Sequence, residues 1–145
     1  MISPILVMSV AAWALAQVMK LLVSMAVYRK FDIKYLTTGG GMPSSHSALV
    51  CACATGTGFA AGINSAVFAV AAVMAFVVMY DAANVRKETG EQAKILNYIM
   101  QNWKEVKPDL FAEELKELIG HTPLQVAMGA ILGIAVGLVG SLIAF

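Results

Sequence analysis

The chain has 145 residues, 59% of them hydrophobic and 13% charged, with a formal net charge of +1 and a mean hydropathy of +0.76. A soluble domain carries about a quarter of its residues as charges, so this composition excludes an ordinary soluble fold. A balance so close to neutral gives no reason to expect nucleic acid as a partner.

The first apolar run, Ile2 to Tyr28, predicts a helix near 3–28, longer than the ~20 residues that cross a bilayer. No positive residue precedes its core and the core is too long for a cleaved signal. Gln17, Lys20 and Ser24 align on one face, which predicts an inward polar stripe; Lys20 snorkelling to the interface is the alternative. Trp13, like Trp103, reads as a packing or interfacial anchor. A basic stretch with Arg29, Lys30 and Lys34 leads to Gly39-Gly40-Gly41-Met42-Pro43-Ser44-Ser45-His46. Those glycines permit tight turns, and Pro43 favours a helix start. The run from Ser47 to Tyr80 is too long for one crossing, and Gly62-Ile63-Asn64-Ser65 divides it into helices near 44–61 and 65–84. Cys51 and Cys53 lie two apart in the first of these and point to different sides, a packing pattern rather than a metal or redox one.

The polar segment 85–120 follows. Ala93, Leu96, Ile99, Met100 and Trp103 recur at helical spacing and predict an amphipathic helix on the membrane or on the bundle. Lys107-Pro108-Asp109 ends it, and Asp109 can cap a second short helix, 110–119, ended by Gly120. The segment serves either as a solvated connector or as a lid. The last apolar run predicts a helix near 122–144 with Pro123 in its first turn and His121 at its mouth. Gly129, Gly133 and Gly137 form a smooth stripe for close helix packing.

Charge placement orients these elements. Lys20 aside, every Lys and Arg lies in one of two segments, Arg29 to Lys34 or Arg86 to Lys116. With four crossings both segments share one side, and the positive-inside tendency makes that side cytoplasmic, with both termini outside. His46, Asp81 and His121 then fall at the same, cytoplasmic, membrane face, with Lys20 nearby. Ser44, Ser45 and free N–H groups at the mouth of a helix suit a phosphate, and a histidine moves protons near neutral pH.

Pro43-Ser44-Ser45-His46 resembles the Pro-Ser-Gly-His signature of the type-2 phosphatidic acid phosphatase and vanadium haloperoxidase superfamily. Gly120-His121-Thr122-Pro123 through Gly129 resembles its later histidine signature. With Gly40-Gly41-Met42 and Tyr80-Asp81-Ala82-Ala83, the pattern is more similar still to a divergent bacterial and plastid branch related to acid phosphatases, over nearly the whole chain. The resemblance implies that His121 attacks phosphorus to form a phosphohistidine. His46 would act as general acid and then base. Ser44, Ser45 and Lys20 would hold the phosphoryl oxygens, and no metal or other cofactor is implied. Gln125 stands where the family carries the aspartate that orients the nucleophile. Its carbonyl can accept an imidazole N–H but cannot stabilise imidazolium as a carboxylate does; Asp81 and Glu117 are the carboxylates available to substitute. Arg29, Arg86 and Lys116 are candidates for a phosphate clamp in place of the family's arginines.

The sequence therefore predicts an all-α integral membrane bundle of about four transmembrane helices with a cytoplasmic amphipathic segment, in one domain over 1–145. Its expected activity is metal-independent hydrolysis of an inner-leaflet lipid phosphate, of the phosphatidic acid or phosphatidylglycerol phosphate type. Undecaprenyl pyrophosphate, recycled on the outer face, fits the topology less well. The partners are the lipid bilayer and a phospholipid phosphate, and the small-residue stripes suit a homodimer. The alternative is a non-catalytic lipid-phosphate binder or a small transport component. A transporter would carry polar residues through the full depth of several helices, whereas here they gather at one end.

Overall fold

A computed structural model of the chain describes residues 2–28, 41–103 and 120–145. Arg29, Lys30, Lys34, Lys104, Lys107, Lys116, Glu117 and the expected helix 110–119 lie outside the described residues. Five helices are present among those described, and no strand: α1 (Pro4–Tyr28), α2 (Ser45–Ala61), α3 (Ala66–Ala83), α4 (Val85–Trp103) and α5 (Pro123–Ala144). The chain is thus an all-α membrane bundle.

The ends of these helices have local causes. Ser44 caps α2 by accepting the Ser47 N–H at 3.4 Å. Gly62 closes α2 with φ +83°, a left-handed value that glycine adopts without strain. Ser65 then caps α3, its Oγ accepting the Phe68 N–H at 3.1 Å and donating to the Gly62 carbonyl at 2.7 Å. Thr122 and Gln125 form a reciprocal capping box at the start of α5, with Pro123 in the first turn. Pro43 differs from the sequence expectation. It precedes the Ser44 cap instead of entering the first turn, because Ser44 and not Pro43 has the capping oxygen.

Among the described residues, three helical stretches are long and apolar enough to cross a membrane: Pro4–Ala26, the apolar part of Ala66–Gln101, and Pro123–Ala144. The fourth expected crossing, α2, has 17 residues. It spans about 26 Å at the usual helical rise, the short end of what a crossing needs. It is also the central helix, packed by α5, α1 and α3.

Small residues make the core. Met8, Ala12, Ala16, Lys20 and Ser24 recur every four residues along the buried face of α1. Ala12 and Ala16 meet Ala48 and Ala52 of α2. Large apolar side chains point outward instead: Val67, Val70, Val73, Phe76 and Val77 of α3 are all more than half exposed. This inversion suits a lipid solvent, where association relies on close packing rather than on hiding apolar surface from water.

The glycine stripe supplies the tightest contact. A Cβ at Gly129 would meet the Ser44 backbone, one at Gly133 the Ala48 backbone, and one at Gly137 the Thr55 side chain. Ser44, Ala48 and Ala52 lie one turn apart, so each glycine of α5 receives a successive turn of α2. Gly133→Ala places a methyl group against a carbonyl that cannot swing away. It is expected to lower stability by about 1–3 kcal/mol, read as a lower thermal midpoint in detergent. Ile131→Val on the exposed face is expected to leave that midpoint nearly unchanged. An unchanged midpoint for Gly133→Ala would refute the close approach.

Candidate active site at the mouths of α2 and α5

Helices α2 and α5 are locked together at the ends that carry the histidines. The Ser44 N–H donates to the Gln125 carbonyl at 3.0 Å, joining the cap of α2 to the first turn of α5. The His121 N–H donates to the Ala82 carbonyl at 3.0 Å, tying the same mouth to the end of α3. Gly120, with φ +113°, lies so close to the Arg86–Lys87 backbone that no side chain fits there. Three backbone contacts thus fix where His121 can stand.

The imidazoles of His46 and His121 meet edge to face, with ring centroids 5.9 Å apart and planes inclined by 65°. His121 is 1% exposed, and its Nδ1 lies 3.3 Å from Gln125 Oε1. Its Nε2 is buried without a hydrogen-bond partner among the described residues, as are His46 Nδ1 and Ser47 Oγ. Buried polar atoms are rarely left unpaired. Three in and beside one pair of helix mouths mark a place with bonding capacity to spare.

Lys20 approaches from α1. It is 2% exposed, and its aliphatic stem runs against Gly41, where a Cβ would stand 3.0 Å from Cγ and Cδ. Among the described residues its ammonium has no hydrogen bond or ion pair. Among the described residues, Lys20 and His121 are the largest side chains removed almost entirely from the surface. That is the reverse of an ordinary core, which hides aliphatic groups and avoids lone charges. Burial, joined by the charge of Lys20, pushes the His121 imidazole down to about 4, while the Gln125 contact opposes the shift. His121 is therefore neutral at physiological pH, with a lone pair on one nitrogen.

The remaining candidates divide. Ser44 is completely buried and Ser45 nearly so, and the N–H groups of Ser45 and His46 lie in the first turn of α2, where helices leave donors unpaired. The charges of Arg86, Lys20 and Asp81 all reach His46. Asp81 does not take the orienting position on His121. Its Oδ2 accepts from Arg86 Nε at 2.7 Å, and Gln125 occupies the place beside Nδ1. Arg86, five residues along the chain, is simply the nearer partner for that carboxylate. Arg29 lies outside the described residues. Sequence reasoning passed over Ser47, whose N–H completes the α2 cap; its spacing of three from Ser44 was the available signal.

The arrangement thus offers one neutral nucleophilic nitrogen, a second histidine in ring contact with it, and a buried cation nearby. The family model described as "Divergent PAP2 family" matches residues 1–136. A protein of Bacillus subtilis (strain 168) named "Uncharacterized membrane protein YuiD" is 42% identical over 144 residues, covering 92% of this chain and 91% of its own length. No solved structure matches the chain. The chain belongs to the divergent PAP2 family of membrane proteins.

Proposed function

We propose that the chain is a lipid phosphate phosphatase that needs no metal and works through a phosphohistidine. The observation that carries this reading is the contact of His46 and His121 at 5.9 Å, with His121 Nε2 and His46 Nδ1 both without a hydrogen-bond partner among the described residues, beside the buried Lys20. The Nε2 lone pair of His121 forms a bond to phosphorus as the bond from phosphorus to the lipid oxygen breaks. The departing oxygen keeps that electron pair and takes a proton from His46. Water then attacks phosphorus and gives a proton to His46. The N–P bond breaks, its pair returns to Nε2, and inorganic phosphate leaves. Lys20, the Ser44 hydroxyl and the N–H groups at the start of α2 hold the three phosphoryl oxygens as charge spreads over them.

The substrate in this reading is a phosphomonoester lipid of the cytoplasmic leaflet, of the phosphatidic acid or phosphatidylglycerol phosphate type. Purified protein in vesicles of such lipids, with chelator present, should release inorganic phosphate. Lipid that binds but yields no phosphate would replace the phosphatase reading with that of a lipid-phosphate binder.

The cytoplasmic placement rests on the charge distribution, and the exposed turn between α2 and α3 tests it. A single cysteine at Asn64, in a chain with Cys51 and Cys53 replaced, is expected to react with an impermeant thiol reagent applied to intact cells. Protection of that cysteine until the cells are broken would place the histidines on the outer face.

A further inference from the structure

We infer that the seam between α1 and α5 holds an acyl chain of the lipid whose phosphate sits at Lys20. The inference rests on the lipid-phosphate reading of the site, but not on turnover. An open groove of about 480 Å³ runs along this seam, lined by aliphatic side chains, one methionine and one glycine. That volume falls in the range of ligand pockets, about 300–1,000 Å³. The groove exists because Ala11 on α1 and Ala135 and Gly140 on α5 are too short to fill the space that Leu15, Leu132 and Val139 border.

Its two ends differ. Far from the histidines, Met8 joins the helices: a Cβ at Gly140 would stand 2.6 Å from Met8 Cγ, and Ser141 Oγ donates to Met8 Sδ at 3.8 Å. The opposite end leads toward the site. At the usual helical rise the groove starts about 8 Å below the Lys20 backbone, at Leu15, and reaches about 20 Å below it at Val7. The hydrocarbon of one leaflet is about 15 Å deep, half of a bilayer core. A lipid whose phosphate meets the Lys20 ammonium therefore runs its chain through the depths that the groove covers. A second copy fits the seam poorly. In a two-fold contact it would present the same hollow, and two hollows face to face leave the space unfilled. Bulk lipid tails are as apolar as the groove, so the headgroup at Lys20 supplies the selectivity and the groove aligns the chain beneath it.

The test needs no turnover. The full-length chain carries Val139→Trp as its one tryptophan, with Trp13 and Trp103 replaced by phenylalanine, and sits in phosphatidylcholine vesicles. Two lipids brominated midway along their chains, where bromine quenches a touching tryptophan, are titrated in: phosphatidylcholine, and a phosphonate analogue of phosphatidic acid that cannot be hydrolysed. Half-maximal quenching by the phosphonate lipid is expected at about tenfold lower mole fraction, from the charge-assisted bond at Lys20. Lys20→Met is expected to abolish that preference. Ala135→Phe, which fills the groove from an exposed position, should abolish it too; should that variant fail to fold, Ala11→Phe fills the same space from α1. Equal quenching by the two lipids, or a preference that survives the filled groove, overturns the proposal. Quenching by neither lipid also overturns it, since a second copy would then cover the seam. Preferential quenching without phosphate release from the unaltered chain would sink the phosphatase reading alone, and release with unselective quenching would sink the groove alone.

Discussion

Replacing His121 with alanine is expected to reduce phosphate release from a lipid phosphate by about a thousandfold or more, because the nitrogen that bonds to phosphorus is removed while His46 is kept for the proton. Among the described residues, the side chains that act on His121 are those of Lys20, Gln125 and His46, and of these only His46 carries another ring nitrogen. His46→Ala should behave differently. A lipid alcohol leaves poorly unless it is protonated, so removing the acid should cost about 10²–10⁴-fold on lipid substrates. On an aryl phosphate, whose phenolate leaves without help, the first step of the same variant should recover much of its rate. His121→Ala should show no such recovery. Equal losses on both substrates in both variants would contradict the division of labour between the two rings.

Lys20→Met should raise the stability of the ligand-free protein while damaging its activity. Lys20 is 2% exposed and lacks an ion-pair partner among the described residues. A buried ammonium in that setting costs several kcal/mol in desolvation. A phosphoryl group arriving beside it would supply the missing counter-charge. Methionine has a similar length and no charge, so the ligand-free protein is expected to gain stability, by about 1–4 kcal/mol. Phosphate release should fall by about 10²–10³-fold as one donor to the phosphoryl oxygens disappears. Inorganic phosphate should raise the thermal midpoint of the unaltered chain and leave that of Lys20→Met unmoved. A less stable variant with undiminished release would show that Lys20 serves the fold and not the site.

Much of the bundle can be read from local signals. The apolar runs, the Gly62 and Ser65 punctuation and the Thr122-Pro123 start place the four apolar helices within one residue of 3–28, 44–61, 65–84 and 122–144. The glycine stripe at 129, 133 and 137 foretells a close neighbour, although nothing in it names α2 as that neighbour. Counting charges along the chain brings His46 and His121 to one face before any contact is known. Contacts within that face are less legible. The competition between Asp81 and Gln125 for His121 turns on rotamers and on where the α3–α4 junction aims each group. Composition favours the carboxylate, but Arg86 captures it while the capping box holds Gln125 in place. The outward turn of Leu96 and Ile99, with Ala93 and Asn97 buried, likewise depends on how α4 leaves Asn84. Helical periodicity groups residues on a face without saying which face the bundle takes.

The central claim is that phosphorus is bonded to His121 during turnover. Vesicles containing a lipid phosphate labelled with phosphorus-32 in its phosphomonoester, mixed with the purified chain and quenched in alkali, where phosphohistidine survives, read this directly. The predicted result is a labelled chain whose label is discharged by acid, maps to the peptide containing His121, and is absent from His121→Ala. Labelled inorganic phosphate appearing while the chain carries no label, or label persisting in His121→Ala, would contradict it.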